Sequence, residues 1–419
     1  MALKDPVLRK RIGFTVLALV VFRLLATIPV PGVDTASLTR LLSSNQVFGL
    51  LNIFSAGGLH NLSIAMLGVG PFITASIIIQ LLTMMFPKWK AMLHDDGEAG
   101  RAKLSQYSRL LSVPLAIFSS VGFLAFLKTQ NVLPSLGTFD FVTNIIVITA
   151  GSLLIMWIGE LISEFGIGNG VSLIIFAGIV ARLPSDLVQA YQKLTTSGGA
   201  DVPYYIIALI VAIIAIAGVV YVTEAERSVP VTYAKQVRGN RVYGGASTYL
   251  PLRLNQSGVI PIIFALSIML FPQIIGKALS SLSNHQILQS IGDFFVNYLN
   301  PSTLAYGIVY FALVVIFTYF YTAVTFDPKM ISENLQRSGA FIPGVRPGDH
   351  TRDHLANIVT RITLVGALFL GVIAVLPLIL QAFFNNQSLA VGGTALLIVV
   401  SVALDLLKKL DAQVSMREY

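Results

Sequence analysis

Ten stretches of this sequence are apolar over about the twenty residues a helix needs to cross a bilayer core of ~30 Å. They run over Ile12–Val30, Leu67–Phe86, Tyr107–Leu127, Phe141–Leu161, Val171–Leu187, Tyr204–Thr223, Val259–Ile275, Leu304–Val324, Ile358–Leu380 and Ser388–Leu407. Length alone, 419 residues, would imply two or three soluble domains, but the charge content forbids that. Only 11% of residues are charged, where a soluble domain carries about 25% and needs them to cover its surface. Intrinsic disorder is excluded by the opposite excess, since there is too much apolar surface to leave in water. The first stretch is too long for a removable signal peptide and lacks a small-residue cleavage site. The fold class read from this pattern is an all-α polytopic membrane protein.

The few charges are sorted by side. With the N-terminus inside, 22 of the 28 Lys and Arg fall in inside segments. Five fall outside (Arg40, Lys128, Arg182, Lys193 and Lys277), and Arg23 lies within the first span. This asymmetry obeys the positive-inside rule and requires an even number of spans, with both termini cytoplasmic. Two inside loops, near 224–256 and 326–357, are longer and more basic than orientation demands. They read as a docking surface for an anionic partner.

Several chemistries are missing. There are no cysteines, hence no disulfide, thiol nucleophile or Cys-ligated metal. No Walker-type phosphate loop and no G-x-S-x-G elbow occur, and the five histidines form no HExxH pair, so no cofactor, metal or catalytic residue is expected. GIGNG (Gly166–Gly170) approaches the GxGD pattern of intramembrane aspartyl proteases, but Asn169 cannot serve as the carboxylate. Charge inside the spans is nearly confined to Arg23, with Glu160 and Asp405 near inside ends, whereas ion-coupled transporters carry acids mid-span. Arg23 reads as a structural partner of backbone or polar groups, or as a pore residue. Polar uncharged groups do occur within spans: Gln80 in the second, Asn255 and Gln256 at the start of the seventh. Each can bond a neighbouring helix or serve function.

Ile53–Ala65 (IFSAGGLHNLSIA) is too short to span. It reads either as a re-entrant helix surrounded by protein or as an external loop. Five spans precede Thr195–Ala200 and five follow it, so an odd number per half puts the halves in opposite orientation. That is the arithmetic of an inverted repeat, an architecture also used by secondary transporters of small solutes.

Two stretches then resemble the signatures of the SecY family: GVGPFITASIIIQLL (Gly68–Leu82) and LIMWIGELISEFGIGNGVSLIIFAGI (Leu154–Ile179). The resemblance continues through YAKQVRGNRVYGGASTYLPLRLNQSGVIP (Tyr233–Pro261), SGAFIPGVRPG (Ser338–Gly348) and GGTALLIVV (Gly392–Val400), in order over the whole chain.

The resemblance implies a protein-conducting channel, not an enzyme. Unfolded secretory polypeptide would pass through it and transmembrane segments would leave sideways into lipid. Ten helices would form two inverted pseudo-symmetric halves, 1–194 and 201–410, closed like a clamshell around a central pore, with a short tail at 411–419. A constriction of aliphatic side chains would fall on Val69, Ile73, Val171, Ile175, Ile263 and Ile398. A narrow apolar ring dewets and blocks ions while binding no passing side chain strongly. A plug helix near 53–65 would include Phe54, Ser55, Ala56, Gly57, Gly58 and Leu59. Gln80 and Asn255 would lie at a lateral gate. Arg238, Arg241 and Arg346 would dock the ribosome or the SecA motor ATPase. The implied partners also include the SecE and SecG membrane subunits, signal peptides, unfolded precursors and lipid, in a bacterial plasma membrane. The short tail departs from longer family members. The competing readings are a secondary transporter and, less well matched, an intramembrane protease acting through Glu160 or Asp405.

Overall fold

The computed structural model describes residues 5–31, 62–94, 97–129, 137–196, 202–234, 236–238, 241–243, 247–280, 290, 292–294, 298–300, 303–384 and 387–418. The expected plug residues Phe54–Leu59 lie outside these. Each of the ten apolar stretches falls on a helix. The chain forms two compact units. One comprises Met1–Ile213, Leu266–Ile308 and Leu376–Tyr419, the other Ile214–Ala265 and Val309–Val375.

The first unit holds α1 (Pro6–Leu25), α2 (Gly70–Met85), α3 (Pro87–His94), α4 (Gly97–Thr129), α5 (Thr138–Phe165), α6 (Gly170–Thr196) and α12 (Gln387–Glu418). Asp5 caps α1 by accepting from the Val7 amide at 2.9 Å, ahead of Pro6, whose missing N–H is no loss in a first turn. α1 stops at Leu25, short of the apolar run that continues to Val30. Pro29 and Pro31 supply no amide hydrogen and push the residues before them out of helical geometry. The chain instead forms an isolated bridge, Pro29 with Ser63, in which Val30 N donates to Leu62 O at 2.8 Å and Ile64 N to Ile28 O at 2.9 Å.

α5 organises this unit. Asn144, Ile148, Gly151, Ser152, Ile155, Gly159 and Ile162 are buried along it at the three-and-four spacing of one helix face. It packs against α4, α6 and α1. Polar contacts link α4 to α5: Ser120 Oγ with Thr149 Oγ1 at 3.2 Å, Ser112 Oγ to Met156 Sδ at 3.4 Å, and Arg109 with Glu160. Such bonds pair groups that lipid would leave unsatisfied.

The second unit contains what the sequence reads only as turn-rich loops. β1 (Glu226–Tyr233) pairs antiparallel with β4 (Ser247–Arg253), Glu226 opposite Arg253 through Thr232 opposite Ser247. Its other edge pairs with the two-residue β5 (Ala340–Phe341), giving the order β4-β1-β5. β2 (Gln236–Arg238) and β3 (Arg241–Tyr243) form a separate hairpin. Val229 and Val231 alternate inward and join Leu252, Ala340, Ile342, Leu355, Ile358, Val359 and Ile362 in one buried cluster. The helices here are α10 (Pro328–Arg337) and parts of α7 (Val202–Glu224), α8 (Ile260–Ser280), α9 (Leu304–Thr325) and α11 (Asp349–Phe384). Four cluster residues belong to the N-terminal half of α11. With 36 residues that helix is about 54 Å long, well beyond a bilayer core.

By length and composition, five described helical stretches can cross a membrane: Gly97–Ala125, Thr138–Phe165, Ile206–Glu224, Leu304–Arg337 and Asp349–Gln381. Gly70–Met85, Gly170–Ser185 and Ile260–Met269 are shorter apolar stretches within α2, α6 and α8.

Candidate functional site

Val69 is the N-cap of α2 and Ile73 lies one turn on, 0% and 6% exposed. Val171 and Ile175 repeat this arrangement in the first turn of α6, half-buried and fully buried. Both pairs sit at spacing four, which puts each on one helix face. Ile398 is buried on α12, which packs against α6. Ile263 is buried in the first turn of α8, within the second unit.

The geometry that delivers these residues is local. Gly68 (φ +53°) breaks the backbone just before Val69, and its carbonyl accepts from Ser152 Oγ of α5 at 2.9 Å. Gly168 (φ +85°) does the same before α6, where Asn169 Oδ1 accepts the Ser172 amide at 3.2 Å and Ser163 Oγ accepts that of Gly170 at 2.8 Å. GIGNG is therefore a helix-to-helix turn, with Asn169 capping α6.

Gln80 lies on α2, half-buried, and its Oε1 is buried with no hydrogen-bond partner among the described residues. Asn255 is 7% exposed, and its bonds are local: Nδ2 donates to Gly258 O at 3.3 Å, and Oδ1 accepts from Ser257 Oγ at 3.3 Å. These bonds shape the entry to α8. A short polar side chain beside a turn finds such local partners readily.

The Ser338–Gly348 motif is a frame around one arginine. Gly339, Gly344 and Gly348 have φ of +69°, +84° and +97°. Ile342 is buried in the cluster, Ser332 Oγ donates to Gly348 O at 2.7 Å, and Thr351 Oγ1 donates to Arg346 O at 2.8 Å. The backbone of Arg346 is thus held while its side chain stands in solvent. Arg352 is already engaged by Asp353 at 2.9 Å and Asp349 at 3.0 Å. Arg238 and Arg241 are backbone partners in the β2–β3 hairpin.

The charges near span ends are paired. Glu160 binds Arg109 at 2.5 Å and Asp405 binds Lys409 at 2.7 Å. Among the described residues no cluster of three or more His, Asp or Glu could hold a metal. Arg23 sits in the last turn of α1, exposed between Val20 and Leu24, which are 52% and 61% exposed.

These features define a multi-pass α-helical membrane protein in which aliphatic pairs open two of the helices and the second unit carries a small sheet. The family model for SecY matches residues 63–407, and the chain belongs to the SecY family. It is 42% identical to the protein translocase subunit SecY of Corynebacterium glutamicum, over 100% of this chain and 98% of that protein. It is 43% identical to that of Thermus thermophilus, over 100% and 95%. Among solved structures it is similar to one described as the structure of a protein conducting channel, with TM-score 0.68 and 22% identity over 97% of this chain and 92% of that one. It is also similar to Sec61 in the canine ribosome-channel complex from the endoplasmic reticulum, with TM-score 0.66, 22% identity and the same coverage. The relatives are translocase channel subunits, and the small-solute transporter reading is set aside.

Proposed function

We propose that this chain is the channel-forming subunit through which unfolded secretory polypeptides cross a bacterial plasma membrane, with apolar segments released sideways into lipid. The channel role rests on full-length kinship with translocase subunits. The single structural observation that supports the seal is the repeated aliphatic pair, Val69 with Ile73 and Val171 with Ile175, each opening a helix of the same unit. Ile263 and Ile398 complete the proposed ring. Aliphatic side chains suit it because a dry constriction resists ions without gripping a passing chain.

Halves 1–194 and 201–410 would part at a gate bearing Gln80 and Asn255. The buried, unpartnered Oε1 of Gln80 supports a contact there that forms and breaks, since a buried amide oxygen without a donor is unfavourable. An exiting segment gains about 0.3–0.6 kcal/mol in lipid per Leu, Ile or Phe. The plug role of 53–65 rests on the family resemblance. Arg346, Arg238 and Arg241 would receive the ribosome or the SecA motor, and SecE and SecG would be small membrane partners. Both termini would be cytoplasmic, as the charge asymmetry requires.

Vesicles containing the purified complex, supplied with SecA, ATP and a signal-bearing precursor, test the function. Protease-protected precursor is the expected result. Absence of import together with uptake of a small solute would sink the reading. Planar-bilayer recording of Ile73→Ser with Ile175→Ser tests the ring, with a new resting ion conductance expected.

A further inference from the structure

One face of α5 carries contacts to both segments that deliver the proposed ring residues. Asn144 Nδ2 donates to Pro31 O at 3.4 Å, on the strand-like segment that binds Leu62 and Ile64. Ile148 is buried in one cluster with Val30, Leu62 and Met66. Gly151 lies so close to the Ile64 carbonyl that any Cβ would overlap it. Ser152 bonds Gly68 O, one residue before Val69. Two turns further along, Gly159 sits under the start of α6. A Cβ built there would lie 3.4 Å from Val171 Cγ2, 3.5 Å from Val171 N and 3.2 Å from Ile174 Cδ1. Gly170 in turn has no room for a side chain against the Gly159 carbonyl.

We infer that α5 is a positioning rail for the ring, with Ser152 and Gly151 setting the height of Val69 and Ile73, and Gly159 setting that of Val171 and Ile175. This rests on the ring reading given above. The two contact sets are seven or eight residues apart on one helix, a rise of about 10–12 Å. A rigid helix fixes such a spacing in a way two separate loops cannot.

The segment from Leu62 to Val69 needs this support. Leu62 is a buried non-glycine residue at φ +39°, a conformation that persists only where its surroundings impose it. The Leu62 carbonyl and the Ile64 amide are tied to the segment after α1, so the far end of the turn is fixed. Met66 N to Ser63 O at 2.9 Å and Gly68 N to Ala65 O at 2.8 Å carry the turn forward. The Gly68 carbonyl then takes the Ser152 hydroxyl, so the near end is fixed too. Without that hydroxyl the carbonyl stays buried and unpaired, and Val69 is free to shift with it.

Resting ion conductance of the full channel complex in planar bilayers tests this with four variants. Ser152→Ala removes the bond. Ser152→Thr keeps the hydroxyl. Ser120→Ala removes another buried hydroxyl, one bonded to Thr149 on α5 and to the Ala116 carbonyl of its own helix and not to the turn. Ile73→Ser reports on the ring itself. Ser152→Ala is expected to raise resting leak roughly fivefold, the population shift carried by one buried hydrogen bond. Ser152→Thr should restore the seal and Ser120→Ala should stay tight. Leak from Ile73→Ser, with Ser152→Ala no leakier than Ser120→Ala, overturns the positioning role alone. A tight seal in both Ile73→Ser and Ser152→Ala overturns the ring reading and the rail with it.

Discussion

Arg109 on α4 and Glu160 on α5 meet at 2.5 Å, linking helices that also share the Ser112–Met156 and Ser120–Thr149 contacts. The Glu160 side chain is 18% exposed and that of Arg109 50% exposed, so the pair is screened at one end. A partly exposed pair of this kind is worth about 0.5–1 kcal/mol. A double-mutant cycle of Arg109→Gln and Glu160→Gln, read by thermal unfolding in detergent, should give a coupling of that size at low salt. It should shrink near about 1 M salt, where the Debye length is about 3 Å. A coupling of zero at low salt would show the pair to be incidental. Precursor cleavage lost in Glu160→Gln would instead revive a protease role for this carboxylate.

Glycines in this chain do opposite things according to what faces them. A Cβ at Gly366 of α11 would lie 2.5 Å from the Leu254 carbonyl, just before Asn255. Gly366→Ala should therefore destabilise by about 1–3 kcal/mol, as overpacking does. Gly122 of α4 has nothing within 4 Å of its Cβ position and lies inside a helix. Gly122→Ala should stabilise by about 0.5–1 kcal/mol through the helix propensity it restores. Comparative thermal unfolding of the two purified variants reads both signs in one experiment. A Gly366→Ala protein as stable as the parent would mean that α11 can move away from that carbonyl.

The contrast between these glycines explains what was legible in the sequence. The spans are written as runs of apolar residues, and each of the ten falls on a helix because lipid leaves the backbone no other partner. The helix-opening aliphatic pairs are legible through the family motifs. Gly151, Ser152 and Gly159 are not, because their importance is a close approach between segments far apart in sequence, which no local pattern encodes. The sheet around β1 is hidden for a related reason. β5 is two residues long and is a strand only because Thr232 and Tyr233 lie beside it. Asn255 reads as a polar group that either bonds another helix or serves function, and its partners Ser257 and Gly258 are two and three residues away.

Arg346 is held by the backbone and free at the tip, so its charge can be reversed without cost to the fold. Ile342, Ser332 and Thr351 fix the turn through contacts that do not involve the guanidinium. Arg346→Glu should leave the melting temperature unchanged while weakening binding of the SecA motor about tenfold, with a reduced salt dependence. Binding to reconstituted complex at several ionic strengths measures this. Unaltered affinity and import would remove Arg346 from the docking surface.

Leu355 is 0% exposed in the cluster joining the sheet to the N-terminal half of α11. Truncation to alanine leaves a cavity that β1 and β5 cannot both close, since Val229, Val231 and Ala340 already pack there. Leu355→Ala should cost about 2–5 kcal/mol. The loss should be local, because five of the six proposed ring residues, Val69, Ile73, Val171, Ile175 and Ile398, belong to the other compact unit, and the sixth, Ile263, is not a member of this cluster. Hydrogen exchange should therefore accelerate in 226–233, 247–253 and 340–345 while α5 stays protected. Motor-driven import should fall while resting ion conductance stays at the parent level. Leak in Leu355→Ala would instead show that the sheet and the seal share one folding unit, and accelerated exchange in α5 would say the same by an independent readout.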